Sequence, residues 1–137
     1  GAPEARPDER LADALQSAAQ EVEERFGVPI EVVTVGDRAL DEHSRALVAA
    51  AREALTNAAQ HAGGDDPVAL YVEATDQRTE VFVRDRGAGF DLDAVPEDRH
   101  GVRESIIGRM RRHGGSATIT STPGVGTEVA LVLEENR

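Results

Sequence analysis

Glu53 and Asn57 stand four residues apart in an alanine-rich stretch, with Gln60 and His61 one turn further on. On a helix that spacing puts Glu53 and Asn57 on one face. A carboxylate and a carboxamide one turn apart suit a hard cation such as Mg2+, or a general base beside a metal ligand. Asn is a poorer helix former than Ala by roughly 0.5 kcal/mol. Ala46 and Ala50 continue the same stripe, and small residues there leave room for something to pack over it. Taken alone, a polar stripe of this kind is the ordinary solvated face of an amphipathic helix.

Asp85-Arg86-Gly87-Ala88-Gly89-Phe90 closes a β-rich run. A carboxylate at a strand end could accept a hydrogen bond from an exocyclic amine. Gly87 and Gly89 would let the backbone approach a flat ligand or take a positive φ. The third glycine of the dinucleotide fingerprint is missing and no helix follows at once, so that motif is excluded. Gly-Lys-Ser/Thr occurs nowhere, which excludes a P-loop. A loop of about 15 residues leads from Asp85 toward Arg103, and loops that long inside compact domains are functional or disordered. The periodicity starts the following helix at Val102, just after Gly101, with Arg99, His100 and Arg103 beside it. Unpaired N–H groups and the helix dipole at such a start favour a phosphate. Thr122-Pro123-Gly124-Val125-Gly126-Thr127 reads by itself as a hairpin turn. The four histidines, 43, 61, 100 and 113, form no H-x-x-x-H pair, which speaks against a zinc site. No G-x-S-x-G segment supplies a serine nucleophile.

The elements that must hold these groups follow from apolar spacing. Residues 1–7 carry Pro3 and Pro7 without apolar period and read as a tail. Leu11, Ala14, Leu15, Ala18, Ala19, Val22 and Phe26 give a helix over Asp8–Phe26, with Asp8 as N-cap and Gly27 as its stop. Val28–Val35 is a short strand with a Pro at its start, suited to a sheet edge. A second helix runs from Asp41 to Ala62 and stops at Gly63-Gly64. Val68–Ala74 and Glu80–Arg84 form a hairpin. Val102–His113 is a third helix ended by Gly114-Gly115, and Ala117–Thr122 and Val125–Leu133 form a second hairpin across a two-residue turn. Hairpins with long helices between them predict an α/β (α+β) two-layer sandwich, a mixed sheet covered on one face by helices.

Composition narrows the function classes. The chain has 137 residues, 15 basic against 26 acidic, a net charge of −11 and no Cys. It is long enough for one domain that buries roughly two-thirds of its unfolded surface. A disulfide framework, a thiolate metal site and a Cys nucleophile are ruled out, which fits a reducing compartment. An anionic surface repels a nucleic-acid backbone, so nucleic acid is not an expected partner. Every basic residue is Arg, so any phosphate contact from a long cationic side chain comes from Arg. The longest apolar run, Ala46 to Ala51, is six residues, against about 20 for a membrane span. No signal peptide opens the chain, and it starts at Gly1, as an excised or processed piece would.

Four segments in this order are more specific than any one of them. Arg52-Glu53-Ala54-Leu55-Thr56-Asn57-Ala58, Asp85-Arg86-Gly87-Ala88-Gly89-Phe90, Gly101-Val102-Arg103-Glu104 and Pro123-Gly124-Val125-Gly126-Thr127 resemble the N, G1, G2 and G3 boxes of the GHKL superfamily. That superfamily holds the ATP-binding domains of gyrases, Hsp90, MutL and sensor histidine kinases. The likeness covers about residues 8–135, the expected domain. Its wording is most similar to sensor histidine kinases of the nitrate-sensor type, and Gly101 to Gly115 resembles actinobacterial kinases with a phage-shock-protein-C-type domain. The resemblance implies a Bergerat fold: a mixed, mainly antiparallel sheet with three helices on one face and ATP between the helices and a lid loop. It implies Asn57 as the Mg2+ ligand, Glu53 as the catalytic or water-orienting acid, and His61 as the N-box histidine of the cofactor site. Asp85 would bond the adenine amino group, Gly87 and Gly89 shape its pocket, Gly101 meet the phosphates and Thr127 lie near the base.

The same resemblance implies a protein histidine kinase. Its γ-phosphoryl group would go from Mg·ATP to a His on its own dimerisation domain, with a response regulator downstream. The first helix has no His, so the chain alone is not expected to phosphorylate itself. It is expected to be soluble, monomeric and cytoplasmic, within a membrane-anchored parent. Three departures separate it from the family pattern. Gln60 replaces a basic residue before the N-box His; Pro96, Glu97 and Asp98 fill a stretch that carries glycines in relatives; and Asp91, Asp93, Glu97 and Asp98 make the lid acidic. These keep two alternatives open, a degenerate nucleotide- or partner-binding module without kinase activity and an anti-sigma-factor serine kinase.

Overall fold

The computed structural model describes residues 9–61, 66–89 and 97–135, the side chains of 97–100 excepted. The tail 1–7, the Asp8 cap, the Gly63-Gly64 stop, Phe90 and the acidic lid residues Asp91 and Asp93 lie outside these. Three helices, α1 (Leu11–Phe26), α2 (Glu42–His61) and α3 (Glu97–Arg112), alternate with five strands. The strands are β1 (Ile30–Gly36), β2 (Val68–Ala74), β3 (Arg78–Asp85), β4 (Gly115–Thr122) and β5 (Gly126–Glu134). They form one sheet in the order β1-β2-β3-β5-β4. β1 and β2 pair in parallel across the α2 crossover, and the other pairs are antiparallel.

Strand alternation decides which face the helices cover. Val68, Leu70, Val72, Val81, Val83, Val129, Leu131 and Leu133 point inward and are buried. They meet Leu11, Leu15 and Val22 of α1, Leu47 and Leu55 of α2, and Ile106 and Met110 of α3. Each such aliphatic side chain contributes about 1.5–3 kcal/mol by leaving water. The opposite face stays open, with Val33, Val35 and Tyr71 exposed. This is the expected two-layer sandwich, with β1 at an edge.

Three local expectations change. The structure gives α1 no side-chain cap from Arg10. Instead Asp37, 25 residues away, accepts the Ala12 N–H at 3.0 Å. An orphan donor of the first turn is thus satisfied by tertiary structure. Helix α3 begins at Glu97 rather than Val102. No apolar residue stands between 97 and 101 to mark the earlier start in the sequence. The β4–β5 connection has three residues, with Thr122 paired to Gly126 and the Val125 N–H on the Thr122 carbonyl at 3.0 Å.

The β1–α2 connection is held by polar contacts. Arg38 is only 4% exposed. Its guanidinium donates to Asp41 at 3.0 Å, to Thr79 Oγ1 at 3.4 Å and to Glu135. Asp41 caps α2: its Oδ1 accepts the Ser44 N–H at 2.9 Å, while Ser44 Oγ accepts the Asp41 N–H at 2.7 Å. Burial alone would raise the Asp41 carboxyl. The Ser44 amide and hydroxyl, helped by Arg38 and His43, outweigh it and hold that carboxyl below its ordinary value.

Candidate functional site

Topology gathers the chemistry-bearing residues at one end of the sandwich. Helix α2 carries the chain from the end of β1 to the start of β2, and the start of β2 pairs with the end of β3, Ala69 opposite Arg84. The C-terminal turns of α2, with Asn57 and His61, therefore lie at the Asp85 end of β3. Asp85 pairs in turn with Thr127 at the start of β5. Both fall in the inward alternation, on the helix-covered face.

Helix α3 completes the arrangement. Ser105 Oγ donates to Glu53 Oε2 at 3.1 Å, and His113 meets His43 at 3.2 Å. Later residues of α2 thus face earlier residues of α3, so the two helices run antiparallel. One turn beyond the Glu53–Ser105 contact, the same register sets Asn57 level with Gly101. Glu53, Asn57 and His61 are half-buried. Carboxylate and carboxamide oxygens on one helix face are hard donors that suit Mg2+.

Gly101 requires a correction. The sequence put it just before a helix, with a free N–H for phosphate. It is the fifth residue of α3, so its N–H belongs to the i→i−4 ladder. Gly101 can still offer a bare backbone: it is exposed, and nothing lies within 4 Å of where a Cβ would be.

The Asp85 loop and the β4–β5 hairpin form a single platform. Asp85 Oδ1 accepts the Gly87 N–H at 2.9 Å, which leaves Oδ2 for another donor. The Gly124 N–H reaches the Ala88 carbonyl at 2.6 Å. Gly89 has φ 66°, and a Cβ there would lie 2.1 Å from the Thr122 carbonyl oxygen. Gly126 has φ 138°, and its Cβ would lie 2.1 Å from the Asp85 backbone carbonyl oxygen. Only glycine allows the loop and the hairpin to touch this closely. Thr127 is buried, and its hydroxyl shares a 2.8 Å hydrogen bond with Ser121 Oγ.

Sequence reasoning missed Ser105 and Ser121 and named Gly126 only within the hairpin segment. Ser105 orients Glu53, Ser121 orients Thr127, and Gly126 lets Asp85 sit against the hairpin. Ser121 was missed because the two-residue turn expected from sequence sets it opposite Gly126, whereas the three-residue connection sets it opposite Thr127. Ser105 had no signal, because its partner is 52 residues away.

A cavity of about 550 Å3 lies elsewhere, between α1 and α2, over Ala14, Leu40, Val48 and Ala49. It contains none of the residues above. Its arginines already face carboxylates, Arg45 to Glu9 at 2.6 Å, Arg10 to Asp37 at 3.5 Å and Arg52 to Glu21 at 3.6 Å. It therefore offers no unpaired cation for a ligand.

Residues 42–137 match the family described as histidine kinase-, DNA gyrase B- and HSP90-like ATPase. An uncharacterized sensor-like histidine kinase of Chloroflexus aurantiacus is 35% identical over 111 residues, 78% of this chain and 18% of that protein. The nitrate/nitrite sensor protein NarX of Escherichia coli is 29% identical over 127 residues, 90% of this chain and 21% of that protein. The chain thus spans about one-fifth of the length of these curated relatives. Among solved structures, the mycobacterial sensor histidine kinase MprB superposes with a TM-score of 0.73 at 19% identity, covering 96% of this chain and 97% of that one. The histidine kinase domain of the Erythrobacter litoralis EL346 blue-light activated kinase gives 0.73 at 21%, covering 98% and 65%.

Proposed function

Because this chain belongs to the histidine kinase-, DNA gyrase B- and HSP90-like ATPase family, we propose that it is the Mg·ATP-binding catalytic domain of a nitrate-sensor-like sensor histidine kinase. It would act within a longer, membrane-anchored protein on the cytoplasmic side. The observation that supports this most is the convergence of Glu53, Asn57, Asp85 and Thr127 at one end of the sandwich, from α2, β3 and β5.

Each residue then has one task. The free oxygen of Asp85 accepts the exocyclic amine of adenine, with Thr127 beside the base and Gly87 and Gly89 letting the backbone approach the ring. Asn57 holds the magnesium ion through its carboxamide oxygen, and His61 adds a polar contact one turn on. The ion, when bound, neutralises phosphate charge. Gly101, level with Asn57, lets the phosphates approach α3 without meeting a side chain. In the reaction the γ-phosphorus parts from the β,γ-bridging oxygen and bonds to an imidazole nitrogen on the dimerisation domain. ADP leaves, and Glu53 takes the imidazole proton. A response regulator then receives the phosphoryl group.

Calorimetric titration of Mg·ATP into the chain tests the site. Wild type should bind, and Asn57→Ala and Asp85→Asn should each weaken binding tenfold or more, about 1.4 kcal/mol. No binding at millimolar nucleotide would end the reading and favour a partner-binding module. Transfer is tested with labelled ATP. Label should enter an added cognate dimerisation domain, and Glu53→Gln should slow that by about 10²-fold or more. Label on the 137-residue chain alone would contradict the assignment of the acceptor.

A further inference from the structure

His43, the second residue of α2, and His113, just past the last residue of α3, meet at the other end of the α2–α3 seam. They are 70 residues apart in sequence, and the contact lies roughly 15 Å along α2 from Glu53 at 1.5 Å per residue. Their Nδ1 atoms are 3.2 Å apart at the surface. The rings are near-perpendicular, at 74° with centroids 5.4 Å apart. Two nitrogens each bound at 2.0–2.1 Å to one tetrahedral cation stand about 3.3 Å apart. In the structure the two nitrogens share a hydrogen bond, one as donor and one as acceptor; a divalent ion at that separation would replace the shared proton and leave both Nδ1 atoms as donors to it.

We propose that His43 and His113 form a two-histidine site for a borderline divalent cation of the zinc, nickel or copper class, bound through both Nδ1 atoms. Imidazole selects these ions, whereas Mg2+ and Ca2+ take oxygen ligands, so the nucleotide's magnesium does not compete. The chain has no Cys to offer a thiolate. No group of three or more His, Cys, Asp or Glu stands together among the described residues, so water completes the coordination. Nearby charge is mixed. Asp41 and Glu42 lie beside His43, and Asp41 interacts favourably with it. Arg109, Arg111 and Arg112 in the last turn of α3 oppose a cation, while the carbonyl end of that helix attracts one. Arg111 and Arg112 are exposed and screened by salt, so the two nitrogen–metal bonds decide the balance. A bound ion would tie the start of α2 to the end of α3, across the seam that carries Glu53 and Ser105. The site stands independently of the nucleotide reading.

The test titrates ZnCl2 into the 137-residue chain in excess MgCl2, without nucleotide, by calorimetry and by proton resonances of the four imidazoles. One equivalent should bind, moving the His43 and His113 resonances. His43→Ala and His113→Ala should each lower affinity at least tenfold and abolish the zinc-dependent rise in unfolding temperature. His43→Gln, which keeps a polar group but is a poor ligand, should behave as His43→Ala does. Binding unaltered by these substitutions, movement of the His61 or His100 resonances instead, or no binding at 100 µM zinc, about −5.5 kcal/mol at that Kd, would overturn the proposal.

Discussion

Gly101 and Gly126 are both glycines of the candidate site, but a methyl group meets opposite surroundings at each. At Gly126 a Cβ would lie 2.1 Å from the Asp85 backbone carbonyl oxygen and 2.9 Å from Arg86 Cα, at φ 138°. Gly126→Ala must push the loop off the hairpin, at a cost of about 1–3 kcal/mol for the backbone strain alone. Unfolding temperature and Mg·ATP affinity should fall together. At Gly101 nothing lies within 4 Å, and alanine is the better helix former by about 1 kcal/mol. Gly101→Ala should therefore raise the unfolding temperature while lowering Mg·ATP affinity, if phosphates approach the bare backbone there. Unchanged affinity in a stabilised variant would remove Gly101 from the site. Asp85 makes a third claim at this scale. Its carboxylate only accepts, so it favours adenine's amine over the carbonyl that guanine carries at the same ring position. Wild type should bind Mg·ATP at least tenfold tighter than Mg·GTP, and Asp85→Asn should narrow that ratio.

At the level of elements, apolar period was readable wherever it was strong. Val68–Ala74 falls where alternation put it, and Gly27 ends α1 with φ 68° and its N–H on the Glu23 carbonyl. What sequence could not supply was tertiary. Asp37 caps α1 from the β1–α2 connection, and a lone Arg38 in a turn reads as solvated until Thr79 and Glu135 are folded onto it. The start of α3 was missed because acidic first-turn residues look like loop when no apolar residue accompanies them. Candidate site residues could be named from local motifs, while Ser105 and Ser121 become partners only through folding. Two substitutions test the supports. Arg38→Ala leaves Asp41, Thr79 and Glu135 facing a void and should cost about 3 kcal/mol in urea unfolding. That is the low end for a broken buried pair, because Asp41 and Glu135 still reach water. Asp41→Ala removes the α2 cap and should cost about 1 kcal/mol at neutral pH. The folded-state carboxyl is depressed, so its contribution is present above the unfolded pKa near 3.8 and lost as pH falls through the lower folded value. The gap between wild type and variant should narrow as pH falls below about 3.8.

Across the whole molecule, a net charge of −11 sets a condition that no single contact removes. A nucleotide triphosphate approaching this chain would move against its long-range field, and in the proposed site a magnesium ion held by Asn57 would reverse the sign locally. The two effects respond differently to salt. Between about 0.01 and 0.15 M ionic strength the Debye length shrinks from roughly 30 to 8 Å. The distant field is then largely screened, while contacts within hydrogen-bond distance change little. Mg·ATP affinity should consequently rise a few-fold over that range, with most of the gain in the association rate. Adenosine, which carries no charge and tests only Asp85, Thr127 and the glycine platform, should bind equally at both salt concentrations. If Mg·ATP instead weakens as salt is added, the phosphate end is governed by nearby cationic side chains. Arg103, on the same turn of α3 as Gly101, is then the first to replace by Gln, and its loss should flatten the salt dependence.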